Sequence, residues 1–282
     1  MGVAGRIGLA VAKKWIAGVN IDDAISEARR LNLSNENVII NYLGEDISEK
    51  SKVTKTVRTY SRLIKLMKSG KISGSIAVKP TQIGLSISFG IFLQNYVSIV
   101  KLARHAGIFV WLDMEDYPYV DDTIKAYLLT LKRNKNTGIC IQSKLRRSMH
   151  DIRSIAKKGG TIRLVKGAYA DHGQKTYNSK DDVDRNYLEC MRLLFLHARS
   201  FMIATHDDKM LGVASSYLKR SNKKVMFGML KGIRPSLALK MAKDGKSLYI
   251  YLPFGENWLE YSVRRLKEKR NASLILRSVF QR

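Results

Sequence analysis

The chain has 282 residues, enough for one large domain with a complete core, and its 45% hydrophobic and 26% charged residues are typical of a soluble globular protein. Its two cysteines, Cys140 and Cys190, are far apart and no CxxC or Cys/His cluster occurs, which argues against a disulfide framework or a zinc site and favours a reducing, cytoplasmic compartment. The formal net charge of +26 favours anionic partners, either nucleic acid or an acidic membrane surface, and says nothing about the fold.

The predicted elements begin with an N-terminal segment of about residues 1–35, which is expected to be helical over roughly 4–33 and has no signal-peptide hydrophobic region before its first charge. Eight short runs follow that are apolar nearly throughout, as buried parallel strands are. These runs are residues 38–43, 75–79, 108–113, 138–142, 161–166, 201–205, 224–229 and 248–253. A helical pattern follows each run, over residues 51–68, 90–105, 121–132, 149–157, 181–199, 209–220, 235–243 and 257–270.

One uncharged stretch, residues 80–100, is long enough to span a bilayer. It is interrupted by polar side chains such as Thr81, Gln82, Gln94 and Asn95. This pattern favours a buried loop followed by a helix over a transmembrane span.

Eight strand–helix units in this length predict an α/β fold of the (β/α)₈ barrel type, with the barrel over about residues 36–272 and the whole chain, residues 1–282, as a single domain. A doubly wound open sheet is the alternative. That fold usually has a glycine-rich phosphate-binding turn after its first strand. Here the turn reads Leu43-Gly44-Glu45-Asp46, which does not match.

Polar side chains recur where the predicted strands end, and in such barrels the active site lies at this end. They are Lys79, Asp113 with Met114 and Glu115, Gln142, Arg163, Lys166, Thr205 with His206, and Tyr251. Together with Arg264 and Arg265 of the last predicted helix, the basic residues Lys79, Arg163 and Lys166 outnumber Asp113 and Glu115, which indicates a strongly cationic pocket for a ligand with carboxylate or phosphate groups. The histidines have no metal-ligand spacing and no nucleophilic triad is evident, so no metal is expected and the chemistry is expected to come from a cofactor.

The last predicted helix carries two adjacent arginines. At about 100° per residue, Tyr261, Arg264, Arg265 and Glu268 share one face, and the opposite face holds Leu259, Val263 and Leu266. Taken alone, the charged face is explained better by solvation than by ligand binding. After a strand-end rim with Lys79, Asp113 and Arg163, we expect the helix to lie over the barrel mouth, with its apolar face packed outward against neighbouring elements.

The chain resembles the proline dehydrogenase family over a region that runs from about Tyr42 to Glu268. The resemblance is carried by an ordered set of motifs, which are Tyr42-Leu43-Gly44-Glu45, Val78-Lys79, Leu112-Asp113-Met114-Glu115, Gln142, Arg163-Leu164-Val165-Lys166-Gly167-Ala168-Tyr169, Ala204-Thr205-His206-Asp207, Met229-Leu230 and the Tyr-x-x-Arg-Arg-x-x-Glu of residues 261–268. It implies a distorted (β/α)₈ barrel that binds FAD and oxidises L-proline to Δ1-pyrroline-5-carboxylate by hydride transfer to flavin N5, with a membrane quinone as electron acceptor.

The resemblance also implies roles for individual residues. Asp113 and Arg163 would be catalytic, Arg163 close to flavin N5. The substrate would be bound by Lys79, Leu230, Tyr251, Tyr261, Arg264 and Arg265, with Glu268 supporting the arginine pair. The FAD would be contacted by Met114, Gln142, Arg163, Lys166, Gly167, Ala168, Thr205 and His206.

Four positions depart from the family pattern, and these concern the shape of the flavin pocket. Met226 and Gly228 stand where Glu and Gln are common, Lys144 stands where an aromatic residue is usual, and Asp207 replaces a common Asn. The chain has no length for a fused aldehyde dehydrogenase domain, so a monofunctional enzyme is expected.

Two alternatives remain open at this stage. Another cyclic imino acid such as hydroxyproline is the close alternative, although the phenol of Tyr251 would crowd a ring hydroxyl. A nucleic-acid-binding protein, suggested by net charge alone, is the distant one, and no recognised nucleic-acid-binding signature occurs. We expect no nucleic acid partner, and a basic surface that docks reversibly on the inner face of an anionic membrane.

Overall fold

The computed structural model describes residues 12–267 of the chain, and the side chains of residues 264–267 are not among those described. Eight parallel strands form a closed barrel in sequence order, with β1 hydrogen-bonded to both β2 and β8. The predicted (β/α)₈ architecture is therefore confirmed. The strands are β1 (Asn37–Tyr42), β2 (Gly74–Val78), β3 (Phe109–Leu112), β4 (Thr137–Gln142), β5 (Thr161–Val165), β6 (Ser200–Ala204), β7 (Lys224–Leu230) and β8 (Ser247–Phe254).

The helices surround the barrel and alternate with its strands. They are α1 (Ile21–Asn32), α2 (Lys50–Ser69), α3 (Phe89–Ala106), α4 (Val120–Leu131), α5 (Ser148–Lys157), α6 (Lys180–His197), α7 (Asp208–Leu218), α8 (Pro235–Lys243) and α9 (Trp258–Lys267). The main hydrophobic core lies between the strands and this helical layer, and it holds the outward-facing strand residues such as Ile162 and Leu164.

The N-terminal segment differs from the helix predicted over residues 4–33. Residues 1–11 lie outside the described residues, and residues 13–20 form turns and irregular backbone. Helix α1 begins after Asn20, whose side chain accepts a hydrogen bond from the backbone N–H of Asp23, while Asp23 accepts from the backbone of Asn20. This reciprocal pair of caps explains why the helix starts there.

Helix α1 packs on the outside of β1 and β8, the place that a helix following β8 takes in a regular barrel. Helix α9, which does follow β8, contributes Tyr261 and Glu260 to the lining of the cavity at the mouth of the barrel. The barrel is therefore distorted as predicted, with its last helix over the mouth.

The apolar face of α9 does not pack as predicted. Leu259 is 59% exposed and Val263 is 39% exposed, so these side chains face solvent rather than neighbouring elements. The helix is instead held by Trp258 and Ser262, which are buried. Leu266 lies among the side chains that are not described.

The uncharged stretch of residues 80–100 forms a short 3₁₀ turn, Thr81–Ile83, followed by the first part of α3. This matches the predicted buried loop and helix. Within residues 12–267, no helix combines the length and the apolar character needed to cross a bilayer.

Candidate active site

One cavity of about 900 Å³ opens at the C-terminal ends of the strands. Each predicted site residue with a described side chain lines it. These residues are Lys79, Asp113, Met114, Gln142, Arg163, Lys166, Gly167, Ala168, Thr205, His206, Leu230, Tyr251 and Tyr261. The backbone of Arg264 and Arg265 belongs to α9, but their side chains lie outside the described set, as does the whole of Glu268.

Arg163 forms the floor of the cavity. Its neighbours on β5, Ile162 and Leu164, belong to the outer core, so the two-residue period of the strand turns Arg163 toward the barrel interior. There it lies beside Cys140 on β4 and Met202 on β6, its partners in register.

The guanidinium of Arg163 is held between two aromatic rings and one carboxylate. Its centre lies 5.3 Å from the Trp111 ring and 5.5 Å from the Tyr251 ring, within the range of a cation–π contact. Trp111 fits there because its neighbour in register is Gly138, where a Cβ atom would come within 2.6 Å of the indole.

Asp113 accepts hydrogen bonds on both carboxylate oxygens, from Arg163 Nη2 on Oδ1 and from the Tyr251 hydroxyl on Oδ2 at 2.8 Å. Burial works against the charge of Arg163, but Asp113 raises its pKa above the usual value, so the guanidinium stays charged. Burial and the Asp113 carboxylate raise the pKa of Tyr251, so its hydroxyl stays protonated. Asp113 is thus fixed in place at the cavity floor.

Two nitrogens of Arg163 remain without a protein acceptor. Arg163 is 4% exposed, and no described oxygen or nitrogen atom accepts a hydrogen bond from its Nε or Nη1 atoms, while the neighbouring Cys140 thiol is only a weak acceptor. Buried guanidinium N–H groups without partners are costly. Their orphaned state beside an open cavity points to a ligand that accepts hydrogen bonds at this position.

Lys79 lies at the rim, directly after β2. Its Nζ atom donates to the Tyr169 hydroxyl at 2.9 Å and lies 3.6 Å from Glu45 Oε2, which also accepts from Tyr169. Although burial opposes it, the surrounding acidic groups raise the pKa of Lys79 well above its usual range. Lys79 is therefore a cation that can bind an anionic group and is unsuited to accept a proton.

A second cluster lies at the end of the cavity formed by β5 and β6. Lys166 Nζ contacts Asp184 at 2.6 Å and Asp207 at 2.8 Å, and Lys180 contacts Asp184 at 2.7 Å. Although burial works in the opposite direction, hydrogen bonds from Lys166 lower the pKa of both carboxyl groups, and Lys180 also contributes at Asp184. Asp207, one of the departures from the family pattern, also caps the start of α7 through the Lys209 N–H at 3.0 Å.

His206 connects this cluster to the substrate side of the cavity. Its Nε2 atom accepts the backbone N–H of Leu230 at 3.0 Å, and its carbonyl oxygen accepts from Arg234 at 2.8 Å. The end of β7 is thereby tied to the end of β6. The result is a structural role for His206 in addition to the predicted contact with a cofactor.

The predicted excess of positive charge depends on Arg264 and Arg265, whose side chains lie outside the described set, so it stays a prediction. The described lining of the cavity holds four basic side chains, Lys79, Arg163, Lys166 and Lys180, and four acidic ones, Glu45, Asp113, Asp207 and Glu260. Glu115, which was expected in the pocket, is 2% exposed and stands behind the wall. Within residues 12–267, no group of three or more His, Cys, Asp or Glu side chains is arranged to bind a metal.

Sequence reasoning left four contributors without a role: Glu45, Tyr169, Lys180 and Cys140. Glu45 follows β1, a strand end omitted from the predicted rim, although Glu45 itself was part of the quoted motif Tyr42-Leu43-Gly44-Glu45. Lys180 lies at the start of α6 and Cys140 inside β4, where neither position follows from a strand-end rule.

Comparison with known proteins gives a consistent result. A family model described as proline dehydrogenase matches residues 24–277. Proline dehydrogenase 2 of Bacillus subtilis (strain 168) is 30% identical over 261 residues, which cover 92% of this chain and 86% of that protein. Proline dehydrogenase 1 of the same strain is 28% identical over 275 residues, or 96% and 91% of the two chains, and the Deinococcus radiodurans proline dehydrogenase is 29% identical over 283 residues, or 96% and 90%.

Among solved structures, proline utilization A of Bdellovibrio bacteriovorus, inactivated by N-propargylglycine, superposes with a TM-score of 0.88 at 24% identity. The match covers 99% of this chain and 35% of that one, so this chain spans about a third of the longer protein. A mutant of the Bradyrhizobium japonicum protein of the same name gives a TM-score of 0.82 at 18% identity, over 99% of this chain and 33% of that one. At these identities the two structures support the fold.

Proposed function

The chain belongs to the proline dehydrogenase family, enzymes that oxidise proline in proline catabolism, and we propose that it converts L-proline to Δ1-pyrroline-5-carboxylate with FAD as its cofactor. The observation that carries this proposal is the strand-end cavity, with Arg163 and Asp113 paired at its floor and Lys79 at its rim. Both a flavin and a small amino acid need such an enclosed, polar-lined site.

The residues of the cavity suit a flavin. A volume of about 900 Å³ is in the range of cofactor pockets, and the free N–H groups of Arg163 match a ring system with hydrogen-bond acceptors. Gly167, with φ of +101°, allows the loop after β5 to pack directly against the Gln142 side chain, because a Cβ there would lie 2.6 Å from Gln142 Oε1. The residues that would hold FAD are Met114, Gln142, Arg163, Lys166, Gly167, Ala168, Thr205 and His206.

When bound, FAD supplies a two-electron acceptor that takes a hydride from the ring carbon next to the proline nitrogen. Arg163 would stabilise the negative charge that develops on the acceptor, because a buried guanidinium interacts strongly with nearby charge. Asp113 and Arg163 hold each other in position, so the group that would face the flavin and the group that would face the substrate belong to one rigid ion pair.

Lys79 would bind the substrate carboxylate together with Arg264 and Arg265, whose side chains lie outside the described residues. Asp113 would face the amine, and Leu230, Tyr251 and Tyr261 would enclose the ring. Lys79 remains protonated in its acidic surroundings, so the carboxylate is its partner of choice. Such orientation of the substrate lowers the barrier by reducing the entropy lost on reaction.

The quinone acceptor and the membrane surface also belong to this proposal. No Asp or Glu occurs from Lys50 to Leu112, a segment that includes α2 and α3, which pack side by side. On α2, the exposed residues Lys55, Arg58, Arg62 and Lys65 follow a three–four spacing and share one face. The two nearest carboxylates, Glu256 and Asp22, lie 3.9 and 3.7 Å from Lys55 and Arg62. We call these four basic residues the basic face of α2, and this face suits an anionic lipid surface, where electrons can be passed to a quinone.

The decisive test is an absorbance spectrum of the purified protein before and after L-proline is added without oxygen. We expect flavin absorbance that proline bleaches. A protein that takes up no FAD, or whose flavin proline does not reduce, contradicts the proposal.

The proposed carboxylate clamp is tested separately with Arg264→Ala and Arg265→Ala. Either change is expected to raise KM for proline sharply while flavin content stays unchanged. Proline kinetics equal to those of the wild type would remove both arginines from the clamp.

A further inference from the structure

Glu115 is a buried carboxylate directly behind the cavity wall, and its two oxygens have the same partner residue. Oε2 accepts the backbone N–H of Thr81 and Oε1 accepts the Thr81 hydroxyl, both at 2.7 Å. Glu115 is 2% exposed and Thr81 is fully buried. Thr81 opens the short 3₁₀ turn after β2, so its N–H has no partner within that turn.

Thr81 also forms hydrogen bonds with the loop that follows β1. Its hydroxyl oxygen accepts the backbone N–H of Asp46 at 2.8 Å, and its carbonyl oxygen accepts that of Ile47 at 3.3 Å. The hydroxyl thus donates to Glu115 and accepts from Asp46 at the same time, which uses its donor and one acceptor position. Replacing it leaves the buried Glu115 Oε1 and the partly buried Asp46 N–H without this partner.

Glu115 is also connected to β4. The Gln142 side-chain amide donates to the carbonyl oxygen of Glu115 at 2.8 Å and to that of Met114 at 3.3 Å. The segments after β1, β2 and β3 and the end of β4 are therefore joined by Glu115 and Thr81. We call Glu115, Thr81, Asp46 and Gln142 the strand-end network.

Each segment in the strand-end network carries a residue of the candidate site. Glu45 precedes Asp46, Lys79 lies two positions before Thr81, and Asp113 lies two positions before Glu115. Lys79 and Glu45 also face Glu115 electrostatically. Because the network fixes the backbone at these points, it determines how far Lys79 and Glu45 stand from Asp113.

We propose that Glu115 is a positioning residue for substrate binding, which acts through Thr81 to hold Lys79 and Glu45 in register with Asp113. The inference rests on the proposed function, because it assigns to Lys79 the substrate carboxylate. Glu115 is not among the residues that line the cavity, so it would touch neither substrate nor cofactor. A buried carboxylate costs desolvation free energy, and here its two oxygens each hold one donor of the turn that carries Lys79.

The test uses anaerobic flavin reduction, which separates the proline concentration at half-saturation from the limiting rate. In Glu115→Gln the amide can accept only one of the two Thr81 hydrogen bonds, so we expect half-saturation to rise roughly tenfold, as misplacement of a binding group does. The limiting rate and flavin content should change less than twofold. Glu49→Gln is the matched control, because Glu49 is exposed and, among the described residues, forms an ion pair only with Lys52.

Thr81 supplies the second arm. Thr81→Val removes the hydroxyl at nearly constant volume and should raise the proline concentration at half-saturation as Glu115→Gln does. Thr81→Ser keeps the hydroxyl, so its half-saturation concentration should stay close to that of the wild type. In the Lys79→Met background, Glu115→Gln should add little, because the residue it positions is already absent. This non-additivity distinguishes positioning from a general loss of stability.

Three outcomes would overturn the inference. Half-saturation could stay unchanged in Glu115→Gln, the effects of Glu115→Gln and Lys79→Met could be fully additive, or Thr81→Ser could behave like Thr81→Val. If wild-type flavin is not reduced by proline, the proposed function fails first. If wild-type flavin is reduced and these variants behave like wild type, only the role of Glu115 fails.

Discussion

The indole N–H of Trp15 donates a 2.9 Å hydrogen bond to the hydroxyl of Ser262, across 247 positions of sequence. Ser262 in turn donates to the carbonyl oxygen of Trp258 at 2.7 Å. Trp15, Ile16, Leu43, Ile233 and Trp258 form a separate hydrophobic cluster, with Leu230 and Tyr261 packed against it. The N-terminal segment therefore helps to hold α9, and with it one wall of the cavity, over the barrel mouth.

Removing this hydrogen bond is expected to loosen α9. In Ser262→Ala the buried Trp15 N–H loses its acceptor, so the free energy of unfolding should fall by about 1–3 kcal/mol. KM for proline should rise severalfold, because Tyr261 precedes Ser262. Ser216→Ala is the control, since that exposed hydroxyl bonds only within its own helix. Chemical denaturation and steady-state kinetics measure the two effects, and an unchanged KM would separate α9 from substrate binding.

Asp113→Asn is expected to damage both stability and catalysis. The change leaves the buried Arg163 guanidinium without its anionic partner, at a cost of about 3–5 kcal/mol in unfolding free energy. The limiting rate of flavin reduction by proline should fall by at least tenfold. Stopped-flow absorbance and denaturant unfolding test the two parts. A variant with wild-type stability would show that the pair with Arg163 contributes nothing net.

The Tyr251 hydroxyl should decide between proline and hydroxyproline. It donates to Asp113 at 2.8 Å and lines the cavity, so a hydroxyl on the substrate ring would meet a fixed phenol. We expect wild-type kcat/KM to favour proline by more than about tenfold. Tyr251→Phe should narrow that ratio, because it removes the crowding oxygen. Equal kcat/KM values for both substrates in the wild type would identify the enzyme as a general cyclic imino acid dehydrogenase.

Glu115 predicts a pH dependence of stability. Burial raises the pKa of its carboxyl group to about 7, against the opposing effects of Lys79 and the Thr81 hydrogen bonds. The folded protein then binds more protons than the unfolded chain between the ordinary glutamate pKa of 4.5 and a pH of about 7, so the unfolding free energy falls as pH rises through that window, by about 1–3 kcal/mol.

Glu115→Gln should remove this contribution to the slope, and pH-dependent denaturation of the variant measures it. Asp184 and Asp207 act in the opposite direction at lower pH, because their pKa values are depressed below 3.8. The stability that these two carboxylates contribute to the fold is lost as pH falls through their depressed pKa values. Their effect therefore lies at a lower pH than that of Glu115. An identical slope in wild type and Glu115→Gln would contradict the assignment.

The basic face of α2 should bind anionic vesicles. Arg58→Glu with Lys65→Glu reverses two exposed charges, and neither native residue forms an ion pair among the described residues. We expect flotation with vesicles containing phosphatidylglycerol to fall at least severalfold and flotation with neutral phosphatidylcholine vesicles to stay low. Lys240→Glu with Lys243→Glu on α8 is the control with the same charge change. Equal loss in both variants would show that net charge, rather than this face, governs binding.

Much of the site followed from the chain alone because strand ends are local features. Lys79 and Asp113 directly follow apolar runs, and Arg163 lies inside such a run between two apolar residues. Once eight strand–helix units had been counted, these residues could be placed together at the C-terminal end of the barrel. The apolar face of α9 was assigned wrongly in part. Helical periodicity defines faces, but Leu259 and Val263 are exposed because Trp258 and Ser262 meet the N-terminal segment instead.

The sequence by itself determined the barrel, the order of its elements and the residues at its mouth. Hydrophobic periodicity and the polar residues at strand ends depend only on residues that are close together in the chain. Only the tertiary structure decided the pairs: Asp113 with both Arg163 and Tyr251, Lys79 with Tyr169 and Glu45, and Trp15 with Ser262. These contacts depend on strand register, barrel closure and the displacement of the last helix by α1. Such relations join residues far apart in the chain, and no local pattern encodes them.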